Sequence, residues 1–514
     1  MRTLVAAVLL AQQTAALRGR RRWRDRGGWL TAAAPLCEPD PFKWTFSTKD
    51  WIKAAAPLRE PPHVKSWTFS TRDLLTKRRP KRVLMLMSDT GGGHRASANA
   101  LKQALVAKYG RNVQVDLLDI WTAADKFPWS SSPKAYSYMG KRPHLWRAFF
   151  YGTAFYPVRL VTRLLHDFSL RRRFKKLLKQ ADPDLVVSVH PMCQHVPLSA
   201  RTWLEKNARR PVKFATVVTD LGSAHPMWFD RRVDACFVPT QRLAKLGKYH
   251  GVGNVVNYGL PLRKEFSATT PSPKTKERAR RKLGLARNSS TVLVTGGGDG
   301  FGSLEKIVDA VARELTGKDA QLVVICGRNE ELRRLLHARD WAREAPGLKV
   351  EVRGFVSDMN LYMEASDVLL TKAGPGTIAE AAALGLPVLL TGFLPGQERG
   401  NVLWVREKNI GELERSPEKA ARTVAAWLND AEALETMSRN ARKAAKPHAT
   451  DKIAEDLMAL VEGVASFRLA RALRELRAPD ALCGALNYSR TVIGELKATL
   501  PFAPREAWRG LAAA

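Results

Sequence analysis

The chain has 514 residues, 45% of them hydrophobic, with 35 glycines, 29 prolines and a formal net charge of +35 from 84 Lys and Arg against 49 Asp and Glu. That length and apolar content suit two large domains plus extensions and exclude a low-complexity or fibrous chain. The charge points to an anionic partner, nucleic acid or acidic lipid; residues 1–82 carry 18 Lys/Arg against 6 Asp/Glu and residues 140–180 carry 11 against 1, so most of the excess sits in two short stretches and the rest is unlike a nucleic-acid-coating protein.

Arg2 precedes an apolar stretch from Leu4 to Leu10, Ala15 and Ala16 offer small residues for cleavage, and Arg18, Arg20, Arg21, Arg22, Arg24 and Arg26 follow with Asp25 as the one acid. A signal-like start ahead of an Arg-rich tract resembles the two-part presequences that enter complex plastids; a basic tail with no address is the alternative. Ala32-Ala33-Ala34-Pro35-Leu36 recurs at 54–58, and Trp44-Thr45-Phe46-Ser47-Thr48 recurs at 67–71. Two copies are too few for a solenoid, so this reads as a duplicated linker. Residues 1–79 are therefore expected to be a targeting presequence and linker, largely disordered. Cys37, Cys193, Cys236, Cys326 and Cys483 are odd in number and lack a CxxC pair, which argues against a disulfide framework. No run approaches the ~18–20 apolar residues that span a bilayer.

Val83 to Met87 is a short apolar run ending at Ser88-Asp89-Thr90 and three glycines, as a buried parallel strand does on reaching a turn. Further strands are predicted at 113–118, 185–189, 214–218 and 235–238, separated by helix-length segments. Ser267 to Thr275 has the polar, proline-bearing composition of a connection. The pattern then restarts, with strands predicted at 292–295, 322–326, 350–353, 368–371 and 388–391. The fold class is therefore α/β, with two doubly wound Rossmann-like domains at 80–266 and 276–462 facing a cleft, and a helical extension at 463–514.

Three motifs carry chemistry. Gly91-Gly92-Gly93 forms a strand-to-helix turn, and His94 at the helix start can take a proton from an alcohol near neutral pH; a core or capping histidine is the alternative. Gly296-Gly297-Gly298 begins a second glycine turn, which is weak evidence of a diphosphate loop by itself. Thr371 to Ala381 combines a strand end, the turn Gly374-Pro375-Gly376-Thr377 and a helix start, a geometry that holds a diphosphate without metal, with Glu380 one turn in to accept ribose hydroxyls. Gln397 and Glu398, after the next strand, suit a hexose. His190, His195 and His225 match no zinc spacing, so no metal is expected.

These runs, with Ser188 to Leu198, Val217 to Phe229 and Tyr258 to Leu262, resemble the plant and algal monogalactosyldiacylglycerol synthases, relatives of the bacterial lipid-linked transferase MurG, over about residues 80–460. The resemblance implies a GT-B fold and inverting transfer from UDP-galactose to diacylglycerol, with His94 as the base. It also implies UDP near Gly296, Gly297, Gly327, Phe355, Val356, Gly374 to Thr377 and Glu380, and the sugar near Gln397 and Glu398. No tightly bound cofactor is implied. The chain departs from the plant pattern at Gly222-Ser223-Ala224-His225, where plant relatives usually have Ser-Thr-Cys-His.

Between 134 and 179 an aromatic-rich segment leads into a basic amphipathic helix with Val158, Val161, Leu165 and Phe168 at helical spacing. Tyr136, Trp146, Tyr151, Arg159, Arg163, Arg171, Arg172 and Arg173 are predicted to meet diacylglycerol and an anionic membrane surface, with phosphatidic acid or phosphatidylglycerol as an activator. A core helix with a solvated basic face is the alternative. The expected place is a plastid envelope or thylakoid surface; the oligomeric state stays open, a homodimer among the options. A glucosyltransferase acting on a lipid is the competing enzyme reading. A nucleic-acid-binding protein would explain the charge, but no readout element is recognisable.

Overall fold

The computed structural model describes residues 79–89, 92–121, 132–140, 142–208, 210–268, 270–296 and 304–463. The expected presequence, the duplication at 32–73, Gly297 with the rest of its glycine turn, and the 464–514 extension lie outside these residues.

Among the described residues, twelve strands form two parallel six-stranded sheets. The first contains β1 (Lys81–Met87), β2 (Val113–Asp119), β3 (Leu185–Ser188), β4 (Lys213–Val217), β5 (Ala235–Val238) and β6 (Val255–Asn257) in the order β2-β1-β3-β4-β5-β6. The second contains β7 (Ser290–Thr295), β8 (Ala320–Ile325), β9 (Lys349–Arg353), β10 (Val368–Lys372), β11 (Val388–Gly392) and β12 (Gly411–Leu413) in the order β12-β11-β10-β7-β8-β9. This is the two-Rossmann-domain, GT-B architecture. The inner strands read as apolar runs because helices cover both faces: Leu84 and Leu86 enter one core, while Val83, Met85 and Met87 enter the other. In the second half Leu293 and Leu369 part from Val292 and Leu370 in the same way.

Each sheet reverses strand order at its central strand. β1 lies between β2 and β3, and β7 between β8 and β10, so a crevice opens at the carboxyl ends of β1 and β7, where open α/β sheets bind ligands. The sequence places the chemistry-bearing turns at those ends.

The chain crosses between the halves twice. After Leu262 it enters the second half, whose first helix (Pro273–Leu283) starts inside the expected connection because Ser272 and Thr275 form a capping box. It returns through the helix Ala449–Glu462, whose Ile453, Ala454, Leu457 and Met458 share a core with Met85, Leu101 and Leu105 of the first half. By packing, that helix belongs to the first half, although the sequence pattern runs on to 462 without a break. The crossings are tied together: Leu262 N–H donates to Thr450 Oγ1 (2.8 Å), which donates to the Leu262 carbonyl (2.7 Å).

Candidate active site

His94 stands near the start of the helix Gly92–Tyr109, against the loop after β3. Its Nδ1 lies 2.9 Å from the Val189 carbonyl and 2.8 Å from Thr219 Oγ1. A carbonyl only accepts, so Nδ1 carries the proton and Nε2 keeps its lone pair. Burial pushes the imidazole pKa down to about 4, the Val189 carbonyl opposing. The His190 ring meets His94 edge-on at 4.6 Å between centroids, and Trp228 stands 6.2 Å away. A buried relay holds the β3 loop in place: Thr216 Oγ1 donates to Gln194 Oε1 (2.8 Å), Gln194 Nε2 to Ser188 Oγ (2.9 Å), and Ser188 Oγ to the His190 carbonyl (3.0 Å). His190 and His195 do not converge, since His190 Nδ1 accepts from Met192 N–H while His195 Nδ1 faces Arg232. Among the described residues no cluster of three or more His, Cys, Asp or Glu could hold a metal ion.

In the second half, Gly296 follows β7 and is buried, and Gly327 follows β8 with φ 60°. The helix Pro375–Ala383 starts with Gly374 as its N-cap and no side chain capping it, so its first N–H groups face outward. A Cβ at Gly376 would meet open space, which leaves room for a bulky anion. Thr377 stands in this first turn, and Val356 packs against the core beneath it. Phe355 is exposed, with the Arg328 guanidinium 5.7 Å from its ring centroid. Arg328 also helps to hold the Asp89 carboxyl below its usual range, after the larger effect of Arg95. Glu380 is paired with Arg263 of the connector (3.3 Å); burial raises its pKa and Arg263 opposes the rise.

Gln397 and Glu398 behave differently from each other. Glu398 is 3% exposed, accepting from Lys372 Nζ (3.1 Å) and Leu394 N–H (2.8 Å), so its carboxylate props the loop. Gln397 lies at the seam between the halves. There Gly222 N–H donates to Asn401 Oδ1 (2.9 Å), and Asn401 Nδ2 donates to the Ala373 carbonyl (2.9 Å). Ser223 Oγ donates to the Gln397 carbonyl (2.9 Å). A Cβ on Gly222 would sit 1.9 Å from the Gly400 carbonyl oxygen, so backbone rests on backbone. The departure at Gly222 from the plant pattern therefore falls on the joint between the domains. Sequence reasoning assigned no role to Thr219, Asp220, Ser223, Arg263 or Asn401; the signal available was their position just past a strand or at the connector.

The aromatic and basic segment forms the helices Pro143–Ala154 and Tyr156–Ala181. One face of the second is buried through His166, Leu170, Phe174 and Leu178. The other exposes Val158, Val161, Leu164, Leu165 and Phe168, the last 91% accessible, and Phe149, Tyr151, Phe155 and Tyr156 continue it. Arg171 and Arg172 are exposed and Arg173 half-buried; Arg159 Nη1 donates to the Ala154 carbonyl (2.8 Å). Two predicted membrane contacts turn inward. Trp146 is buried against Tyr136 and Phe150, and Arg163 is half-buried, its pKa lowered by burial with Asp230 opposing. His225 fastens this layer to the site: its Nδ1 accepts from Met227 N–H, so Nε2–H donates to the Phe150 carbonyl (3.3 Å). Among the described residues no helix is long and apolar enough to cross a membrane.

Residues 94–262 match the family described as Monogalactosyldiacylglycerol (MGDG) synthase, and residues 291–453 match the Glycosyltransferase family 28 C-terminal domain. The chain is 40% identical to Monogalactosyldiacylglycerol synthase 1, chloroplastic, of Arabidopsis thaliana over 398 residues, covering 74% of this chain and 72% of the relative. It is likewise 40% identical over 400 residues to Monogalactosyldiacylglycerol synthase, chloroplastic, of Spinacia oleracea, covering 74% and 73%. Among solved structures it is similar to Acinetobacter baumannii MurG, with a TM-score of 0.48 and 16% identity over 74% of this chain and 99% of the other. The chain belongs to the monogalactosyldiacylglycerol synthase family and is a glycosyltransferase.

Proposed function

We propose that the protein transfers galactose from UDP-galactose to the free hydroxyl of 1,2-diacylglycerol, with inversion, at a plastid membrane surface. The observation that carries the reaction is the pairing of a neutral, tautomer-fixed imidazole at the end of β1 with an uncapped helix N-terminus at the end of β10. The helix start and its N–H groups hold the diphosphate and stabilise the charge that UDP gains as it leaves. Glu380, kept in place by Arg263, reads the ribose. Phe355 and Val356 flank the uracil ring of UDP, and Gln397 the hexose.

His94 Nε2 accepts the acceptor proton. An imidazole with a pKa near 4 is a weak base, yet it is fully unprotonated at neutral pH. The hydroxyl becomes strongly acidic only as its oxygen bonds to the sugar carbon, and the proton moves then. Base and leaving group on opposite walls suit a single in-line displacement, which inverts the anomeric carbon. In the test, protein lacking residues 1–78 is incubated with diacylglycerol vesicles and labelled UDP-galactose or UDP-glucose. Galactolipid is the expected product; glucolipid alone would change the donor, and no glycolipid would remove the reading.

The exposed apolar face of Tyr156–Ala181, flanked by arginines, supports membrane docking. Such a face entering the acyl boundary beside Phe150 and His225 brings the lipid hydroxyl toward the cleft. Phosphatidic acid or phosphatidylglycerol would strengthen the docking. Changing Arg171, Arg172 and Arg173 to Gln is expected to weaken binding to anionic vesicles by about 1 kcal/mol per charge, most visibly at low salt. Sedimentation with vesicles at two salt concentrations measures this, and unchanged binding would discard the role of these arginines.

A further inference from the structure

Three consecutive residues of the loop after β11 are each fixed by a different neighbour. Glu398 is spent on Lys372, and the Gln397 carbonyl accepts from Ser223 Oγ at 2.9 Å. Gly396 has φ 83°, and a Cβ added there would stand 2.4 Å from Phe150 Cδ1, so the Phe150 ring fills the space that a side chain at 396 would take. Phe150 belongs to the helix Pro143–Ala154 and crosses from the acceptor side to meet the donor loop. Its own place is set by His225, whose Nε2–H donates to the Phe150 carbonyl (3.3 Å) and whose ring meets the phenyl edge-on with centroids 5.0 Å apart.

Between these anchors one group is left open. Gln397 Oε1 is buried without a hydrogen-bond partner among the described residues. A buried acceptor left empty is costly, and a ligand hydroxyl satisfies it. Where that oxygen points depends on the main chain at 396, which a glycine leaves free to turn. The ring seated on Gly396 takes that freedom away.

We propose that Phe150 is a positioning residue for the donor sugar: packed on Gly396, it holds the turn of the second half so that Gln397 Oε1 accepts a hydrogen bond from a hexose hydroxyl. The proposal rests on the reading of Gln397 as a sugar contact. It gives the aromatic layer of the acceptor side a part in donor recognition, since the neighbouring Phe149 and Tyr151 lie on the exposed apolar face. The donor pocket is then complete only with the halves together.

The test compares KM for UDP-galactose with the inhibition constant of UDP, which lacks the sugar. Phe150→Ala is expected to raise KM about 5-fold, the worth of one hydrogen bond to the hexose, while UDP inhibition stays within about 2-fold. Phe150→Tyr keeps the ring edge that meets Gly396 and leaves KM near the wild-type value. Phe150→Leu retains apolar bulk without the ring; it raises KM in the same direction and serves if the alanine variant does not fold. Gln397→Ala raises KM as Phe150→Ala does, and the double variant is no worse than the worse single, because the two residues act as one unit. Phe150 does not position the sugar if its loss leaves KM unchanged, weakens UDP as much as UDP-galactose, or shifts only the diacylglycerol fraction needed for half-maximal rate. The same holds if Phe150→Tyr is as poor as the alanine variant or if the two losses multiply. If Gln397→Ala itself leaves KM unchanged, the sugar reading of Gln397 falls, and the proposal with it.

Discussion

His94→Ala lowers galactose transfer by about 10²- to 10⁴-fold, the usual contribution of a positioned proton acceptor, and leaves UDP affinity unchanged. The expectation follows from geometry. Nδ1 is committed to Val189 and Thr219, so the Nε2 lone pair is the proton-accepting atom. The residues proposed to hold UDP lie on the other half, which keeps binding independent of the substitution. The pH dependence has a definite sign. The base works unprotonated, so kcat/KM is level from neutrality down to about pH 5 and falls through a midpoint near pH 4 as the ring gains a proton. Steady-state assays in a set of overlapping buffers measure that acid limb, which should vanish in His94→Ala. A limb centred near 6.5 would mean that the working ring is solvated, and a limb that survives the substitution would assign it to another group.

Gly400→Val has the second large effect, and it acts without touching either substrate. The residue lies one position into the helix Arg399–Glu407, where valine is a few tenths of a kcal/mol better than glycine in helix propensity, so the backbone of the helix itself does not object. Across the seam, however, a Cβ at 400 would stand 2.4 Å from the Gly222 carbonyl carbon and 2.5 Å from Ser223 N. Neither is a flexible side-chain end, so the halves must separate. That breaks the Ser223 contacts and the Gly222–Asn401 hydrogen bond, and it displaces the acceptor wall from the donor. A misplacement of about 1 Å at reacting atoms is worth roughly 100-fold in rate, which is the expected loss in kcat. UDP binding should persist, because the helix Pro375–Ala383 and Glu380 lie within the second half and its connector. Calorimetric titration with UDP beside the transfer assay separates these outcomes; loss of both would mean that the second half itself had unfolded.

Much of the architecture was written in local pattern. Ten of the twelve strands were legible: the eight inner ones as apolar runs bounded by turns, because a strand covered on both faces is apolar at nearly every position, and the edge strands Val113–Asp119 and Lys349–Arg353 by their valines and leucines, with Gln114, Asp116, Lys349 and Arg353 exposed. The two that escaped, Val255–Asn257 and Gly411–Leu413, are three-residue edge strands, too short to show a period and paired on one side only. The passage from β10 through Gly374 into the helix Pro375–Ala383 was legible for a related reason: a strand end, a tight turn and a helix start are consecutive in sequence. The amphipathic helix was equally readable, and Phe168 and its neighbours are exposed as the spacing implied.

What the residues alone determined, then, is the doubly wound class, the two halves, the family, and the turns that present His94 and the helix at Pro375, all set by contacts within about a dozen residues. The tertiary structure decided everything that joins residues far apart in the chain. It turned Trp146 and Arg163 inward, gave the helix Ala449–Glu462 to the first half, spent the Glu398 carboxylate on Lys372, and set Gly222 on Gly400 with Ser223 bonded to the Gln397 carbonyl. The physical reason is the same in each case. Burial and hydrogen-bond partnership depend on which surfaces meet, and in this protein the decisive surfaces belong to two domains whose facing residues are nearly two hundred positions apart.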